Sequence, residues 1–465
     1  MTRANNSILK IGLIYTISNI VVKGIVFLTT PIFTRLMSQT AYGEFSSISS
    51  WANIITTIVT LNLYSSISVA KHDYDDVFDK YLSSILILGN IVTAICWVII
   101  ESNIIVFENI FSMDRMYIRS IMLYSFFSPA TQILLNKYRM YNEYKKVVII
   151  TWTTLIVSTV GSLLFVCTFQ DKLMGRVLGY YVILAVINII FWIYILIEGK
   201  QIHLKYCKYA LNLALPLVPH ELAGIVLTSS DRIIIQQLCG AEKTALYSLA
   251  YTISTILNVF LSSINQAWVP WFYDKLEKEE FEHIRKASNM VIVLFAVGCI
   301  GVMLVGPEII MIFGGKQYLA AKSIVPPVCL AVMFQLVYTM YVNIEFYMKK
   351  TSIISIATIM ATIINVVLNY IFIPHLGYVV AAYTTAIGFA MMCILHILAV
   401  RKISDYSGVF SRKTIMLSVG VVILGMLIIL LIYEMVIIRM VMILAYFVLI
   451  FALLYKYRKE ITVLK

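Results

Sequence analysis

The sequence predicts an all-α polytopic membrane protein of about fourteen transmembrane helices, with two six-helix lobes related by a pseudo-two-fold axis and two further C-terminal helices. Three observations carry that expectation. Of 465 residues, 61% are hydrophobic and only 13% charged, whereas a soluble domain carries about 25% charged residues. The apolar positions gather into runs that can cross a hydrocarbon core of about 30 Å, which takes roughly 20 residues. Finally, the chain repeats itself at an offset of 202 residues.

The runs lie at 8–34, 45–70, 81–100, 116–136, 147–168, 177–197, 210–238, 245–271, 288–313, 323–347, 352–373, 378–400, 414–433 and 436–455. The first extends from Ile8 to Leu36 without a small-residue cleavage site and is too long for a signal-peptide core, so it is expected to remain as a span. Lysine and arginine are unevenly shared between alternate loops. One side of the first half holds Arg3, Lys10, Lys71, Lys80, Lys137, Arg139, Lys145, Lys146, Lys200, Lys205 and Lys208, against Arg35, Arg115, Arg119, Lys172 and Arg176 on the other. The second half repeats the bias through Lys275, Lys278, Arg285, Lys286, Lys349, Lys350, Arg401, Lys402, Arg412, Lys413 and the tail. Both termini are therefore expected in the cytoplasm.

Topology also accounts for the net charge of +12, which sits in short loops on one face and not in a soluble patch for nucleic acid. The seven cysteines are scattered without metal or disulfide spacing, and no cofactor is expected.

The repeat places Leu36 to Ser46 on Leu238 to Ser248. Identity is low, so the stronger indication is that polar residues in the flanking spans fall on equivalent helix faces. At about 100° per residue, Ser49, Asn53, Thr56 and Thr60 form one stripe, and the offset carries them to Tyr251, Thr255, Asn258 and Ser262. On the first span Thr16, Asn19, Lys23, Thr30 and Thr34 share a face, and Asn19 and Thr30 map to Glu221 and Arg232. Six spans separate the units, so both enter the membrane in the same direction. The expected organisation is a first lobe over 1–200, a second over 201–403, and a helix pair with a cytoplasmic tail over 404–465, packed at the periphery. The two lobes would face a central cleft.

A charge at mid-bilayer costs about 2.5 to 3.5 kcal/mol on insertion scales, so retained ones usually face a bundle interior or a watery cavity. Lys23 lies roughly a dozen residues from either end of its span, too deep for easy snorkelling. The seventh span carries His220, Glu221, Asp231 and Arg232, and its start is softened by Pro216 and Pro219. Glu221 and Arg232 share a face but stand about 16 Å apart along the axis, so they cannot pair. Asp231 and Arg232 also fit a helix end at the outer membrane boundary. Glu345 and His396 fit positions close to the cytoplasmic surface. Asn258, Ser262, Asn265 and Gln266 suit a cleft lining or interhelical hydrogen bonding. The cleft candidates are thus Lys23, Arg232, His220, Asn19, Asn53, Asn258, Ser262 and Gln266, and the ion-coupling candidates Glu221, Asp231 and Glu345.

Catalytic motifs fail on inspection. Gly314, Gly315 and Lys316 lack the spacing of a nucleotide loop. His220 and Glu221 open like a zinc-protease motif, but Gly224 stands where the second histidine would be. Asp73, Asp75 and Asp76 sit in a short loop without a catalytic domain behind them.

The segments Leu215 to His220, Ser230 to Ile235 and Leu246 to Tyr251, with Pro31 to Arg35 and Tyr42 to Phe45, resemble the bacterial polysaccharide exporters and O-antigen flippases of the multidrug/oligosaccharidyl-lipid/polysaccharide exporter superfamily. The resemblance implies two lobes, no enzymatic activity, and an undecaprenyl-diphosphate-linked oligosaccharide as cargo. Membrane lipid and other polysaccharide assembly proteins would be its surroundings, and a monomer its working unit. On that reading Lys23 and Arg232 meet the diphosphate and the polar stripes meet the sugars. A multidrug antiporter of the same fold would carry a more carboxylate-dominated cleft. A membrane polymerase or ligase would need a sizeable external loop, and the longest here, Glu101 to Tyr117, spans 17 residues.

Overall fold

The computed structural model describes residues 24, 25 and 27–448, and every described element is helical. In lipid each backbone N–H and C=O needs an internal partner, which an α-helix provides within itself. The chain runs from the end of a first helix, α1 (27–36), through α2 (Gln39–Thr60), α3 (Ile67–Asp73), α4 (Phe78–Ser102), α5 (Ile104–Phe111), α6 (Arg115–Met140), α7 (Tyr144–Thr168), α8 (Lys172–Val177) and α9 (Ile183–Gly199). It continues with α10 (Leu204–Ala214), α11 (Val218–Cys239), α12 (Ala241–Glu277), α13 (Phe281–Leu304) and α14 (Gly306–Gly314). The last are α15 (Val325–Tyr347), α16 (Thr351–Leu376), α17 (Val380–Ile403), α18 (Arg412–Ile432) and α19 (Val436–Val448).

Ten helical stretches among the described residues are long and apolar enough to cross a membrane, or eleven if the bent pair α2 and Leu63–Asp73 counts as one span. The chain is a multi-pass membrane protein. Fourteen spans are not reached among the described residues, and most of the first expected span lies outside them, as does the end of the last. Helix α6, 26 residues long, is not among the ten, and Lys137 and Arg139 occupy its last turn.

Three expected boundaries are corrected. The run at 45–70 is helical from Gln39, where the Ser38 hydroxyl accepts the Ala41 N–H at 3.1 Å, and it bends by 58° after Thr60. Leu61 and Asn62 adopt φ of 51° and 47°, the left-handed region that ends a helix. The run at 288–313 breaks at Val305, because Pro307 in the first turn of α14 cannot donate to the preceding turn. The run at 210–238 begins as α10 at Leu204 and passes through a 3₁₀ turn at Leu215–Leu217 around Pro216 before α11. The stretch from Glu101 to Tyr117 holds the eight-residue helix α5 between the ends of α4 and α6 and is not an open loop.

The chain divides into two compact units. Unit 1 takes the described part of Met1–Ser248 with Ser355–Tyr378, and unit 2 takes Leu249–Ile354 with the described part of Val379–Lys465. In unit 1 one apolar cluster gathers Ile67, Tyr81, Leu86, Ile133 and Ala210, and another Ile48, Ile55, Ile118, Met122 and Tyr181. Lys137, at the end of α6, places Nζ 2.6 Å from Asp79 of α4 and 2.5 Å from Glu198 of α9, so one partly desolvated cation joins three helices. The start of α2 meets the start of α12 backbone to backbone. A Cβ built on Gly43 would fall 1.8 Å from the Ala241 carbonyl oxygen. Ala241 follows Gln39 by 202 residues, so both helices begin where the repeat offset puts them.

In unit 2 the central element is α15, which packs along α17. Seventy-two per cent of the most apolar stretch around α15 is buried, against 28% for α18, which rests on α13 and α15. Helices α18 and α19 are fastened by polar contacts. The Tyr433 hydroxyl donates to Met303 O at 2.7 Å and that of Tyr446 to Val297 O at 2.5 Å, Arg439 pairs with Glu308, and Lys322 reaches Glu434 at 2.7 Å.

Candidate functional site

Unit 1 contains a cleft of about 250 Å³ between α2, α6 and α11. Its walls are Asn53, Thr56 and Thr57 of α2, Tyr124 of α6, and Ile225, Thr228 and Ser229 of α11. The lining follows from helix periodicity. Asn53, Thr56 and Thr57 are three and four residues apart and share a face, while the opposite side of α2 carries the buried Ile48, Ile55 and Val59. Thr56 Oγ1 lies 2.7 Å from Ser125 Oγ of α6, and Thr57 Oγ1 donates to Asn53 O at 2.8 Å. Hydroxyls and an amide at the wall of an apolar bundle suit a ligand rich in hydrogen-bonding groups.

Arg232 is half-buried one helical turn beyond this wall, its Nη1 donating to Thr228 O at 3.0 Å. Asp231, the neighbouring residue, is 1% exposed. Its carboxylate accepts hydrogen bonds from the Tyr247 hydroxyl and, at 2.7 Å, from Asn369 Nδ2 of α16. Asn369 also lies 3.4 Å from Asn365 Oδ1. Asp231 is therefore an interior group of unit 1. Its partners were not evident in the sequence, because Asn369 is 138 residues away. The available signal was the stripe Thr358, Thr362, Asn365 and Asn369, which recurs every three or four residues along α16. His220 is half-buried at the start of α11, and its Nδ1 is buried without a hydrogen-bond partner among the described residues. Glu221 is exposed. Lys23 and Asn19 lie outside the described residues.

The remaining candidates belong to unit 2. Asn258 is half-buried with Oδ1 unpartnered among the described residues, Ser262 donates to Asn258 O at 2.9 Å and Val259 O at 3.0 Å, and Gln266 is exposed. The Ser262 hydroxyl is thus committed to its own helix. Asn343 Nδ2 donates to Asn265 Oδ1 at 2.8 Å, joining α15 to α12. Glu345 and His396 are both 0% exposed and bonded to each other, Glu345 two residues before the end of α15. Tyr338 stacks on the His396 ring at 5.8 Å, and His396 Nε2 has no partner among the described residues.

Residues 8–276, more than half of the chain, match the family described as "Polysaccharide biosynthesis protein". The chain belongs to this family. Among curated relatives it is similar to the "Lsg locus putative protein 1" of Haemophilus influenzae, 20% identical over 375 residues that cover 77% of this chain and 90% of the relative. It is also similar to an "Uncharacterized membrane protein" of the same organism, 21% identical over 380 residues, 77% of this chain and 88% of the relative. Its fold is similar to that of the lipid II flippase MurJ in an inward closed conformation, with a TM-score of 0.70 and 14% identity over 95% of this chain and 100% of that one. An inward-facing multidrug resistance MATE family transporter of the MOP superfamily gives 0.59 at 15% identity over 81% of this chain and 97% of that one. At these identities the likeness concerns the fold. This member of the polysaccharide biosynthesis family thus has the fold of membrane transporters.

Proposed function

We propose that the protein turns over undecaprenyl-diphosphate-linked oligosaccharide repeat units, of O antigen or of a capsule or exopolysaccharide, from the inner to the outer leaflet of the bacterial cytoplasmic membrane. The observation that carries this reading is the polar cleft in unit 1, lined by Asn53, Thr56, Thr57, Thr228 and Ser229, in a family of polysaccharide biosynthesis and a fold shared with the lipid II flippase. Sugar hydroxyls match such a wall, and Tyr124 adds a ring face of the kind on which a pyranose packs. A diphosphate asks for cations, and Arg232 stands one turn from the wall. Lys23 is proposed as its counterpart. The polyprenyl tail needs only lipid.

In this reading lobes at 1–200 and 201–403 alternate access as a monomer, the helix pair at 404–465 accompanies them, and both termini are cytoplasmic. Asn258, Ser262 and Gln266 of the second lobe are proposed to meet sugars as well. Of the three coupling carboxylates, Glu221 is exposed and Glu345 is paired with His396, which favours the interior Asp231. No cofactor takes part.

The test is a deletion strain complemented with the wild type, Arg232→Ala or Arg232→Lys. The wild type clears lipid-linked glycan from the cytoplasmic leaflet and restores surface glycan. Arg232→Ala lowers export by roughly tenfold, as the loss of a charge-assisted hydrogen bond implies, and the lysine variant is milder. Unchanged lipid-linked glycan in the deletion strain, together with dye efflux by the complemented one, would turn the reading to a multidrug antiporter.

A further inference from the structure

Arg176 is a cation of unit 1 that the cleft does not use. It lies in the last turn of α8, immediately before a π-helical turn at Leu178–Val182, a deformation found often at functional sites. The guanidinium carbon sits 3.2 Å from the centroid of the Phe33 ring and 4.6 Å from that of Phe45. Nη1 donates to Ser162 Oγ at 2.8 Å. Among the described residues no carboxylate lies within ion-pair distance, and the ionisable neighbours are the phenols of Tyr42, Tyr180 and Tyr181.

The position is fixed by backbone crossings. A Cβ on Gly175 would fall 2.6 Å from Phe165 O, and one on Gly179 would fall 2.7 Å from Ser162 Cα, so α7 holds the turn on either side of Arg176 at closest approach. Rings connect the site to the cleft. Phe45 meets Tyr180 at 6.2 Å, Tyr180 meets Tyr181 at 5.1 Å, and Tyr181 meets Tyr124 of the cleft wall at 5.5 Å. A guanidinium carries five N–H donors in a planar fork, and phenyl rings cover its face without engaging those donors. One donor is satisfied by Ser162. A phosphate accepts two of the others in bidentate fashion.

We propose that Arg176 is a phosphate-binding residue, its guanidinium packed against Phe33 and Phe45 and its free edge taking the phosphate oxygens of a polyprenyl-linked cargo at the end of unit 1 where α1 closes and α2 opens. The assignment of the phosphate to cargo rests on the flippase reading. The phosphate chemistry does not, since a phospholipid headgroup offers the same oxygens.

The experiment measures binding of geranylgeranyl diphosphate, of geranylgeraniol, and of phosphatidylglycerol against phosphatidylcholine to the full-length protein in detergent, with the unliganded unfolding temperature recorded for each variant. The wild type prefers the diphosphate to the alcohol. Arg176→Gln weakens diphosphate binding roughly tenfold or more, the worth of a charged hydrogen bond, and leaves binding of the alcohol unchanged. A loss confined to the phosphatidylglycerol preference also supports a phosphate site and assigns it to bilayer lipid. A wild type that does not distinguish diphosphate from alcohol overturns the cargo reading, while the lipid arm still decides on Arg176. If Arg176→Gln does not fold, Arg176→Lys decides, because an ammonium lacks the planar fork and loses about threefold or more. Unchanged phosphate binding with only a lower unfolding temperature means that Arg176 is a packing residue, and overturns the proposal.

Discussion

His396 Nδ1 lies 3.0 Å from both carboxylate oxygens of Glu345, and neither side chain is exposed. The bond crosses from α17 to α15, the two helices at the centre of unit 2. Removing one partner leaves the other buried without its complement, which costs about 1–3 kcal/mol for a hydrogen bond and more for a charge. Glu345→Ala and His396→Ala are each expected to lower the unfolding temperature in detergent by several degrees. The double variant Glu345→Leu with His396→Phe should recover part of that loss, since replacing a whole buried pair by apolar groups is often neutral. A double variant as unstable as the sum of the singles would show that the two side chains act separately.

Asp231 yields a prediction that separates structure from coupling. Asp231→Asn keeps an oxygen for the Tyr247 hydroxyl, removes the charge and turns an amide N–H toward Asn369, whose own amide can flip to accept it, so the protein should fold with an unfolding temperature lowered by no more than several degrees. Gradient-driven transport should fall by an order of magnitude or more if this carboxylate couples ion movement to export. Asp231→Leu strips the acceptor from both Tyr247 and Asn369, and should cost about 1–3 kcal/mol for each donor left unpaired. Transport by Asp231→Asn at the wild-type rate and with the wild-type ion dependence would remove Asp231 from the coupling role.

Gly43 predicts a steric failure. With the Ala241 carbonyl 1.8 Å from the place of a Cβ, even Gly43→Ala must push α2 and α12 apart, and overpacking of this kind costs about 1–3 kcal/mol or more. Low membrane yield and a reduced unfolding temperature are expected for alanine, and little folded protein for leucine. Gly224, with nothing within 4 Å of its Cβ position, is the control and should tolerate alanine.

Topology can be read directly. Cysteines placed beside Lys145 and Lys278 should resist an impermeant maleimide added to intact cells and react after permeabilisation. Labelling of either from outside would reverse the assignment made from lysine and arginine.

The helical character and the spans were legible because apolar periodicity and hydrophobic length are local properties. The softened start of the seventh span was legible in Pro216 and Pro219, whereas the break before Pro307 was not, the apolar run at 288–313 continuing through it. The bend at Leu61 and Asn62 was not, because neither is glycine or proline and the left-handed turn is imposed by packing. The polar stripe of Asn53 and Thr56 was evident from spacing alone, and both residues do line a cleft. The environment of Asp231 and the pairing of Glu345 with His396 were not, since their partners are 138 and 51 residues away and only tertiary structure brings them together. Arg176 was read as a loop cation for the same reason. Its ring contacts come from α1 and α2, which sequence spacing does not connect to α8.

The fastening of Arg439 to Glu308 has a consequence for how the chain is made. Glu308 is translated long before its partner, which follows 131 residues later. Until then the partly buried carboxylate stands without its cation. The nascent second unit would therefore present an uncompensated carboxylate to the insertion and surveillance machinery through the 131 residues that separate Glu308 from Arg439. A chain cut short before Arg439 would never leave that condition, so stop codons in the final hairpin should be felt as degradation of the whole protein and not as loss of two peripheral helices.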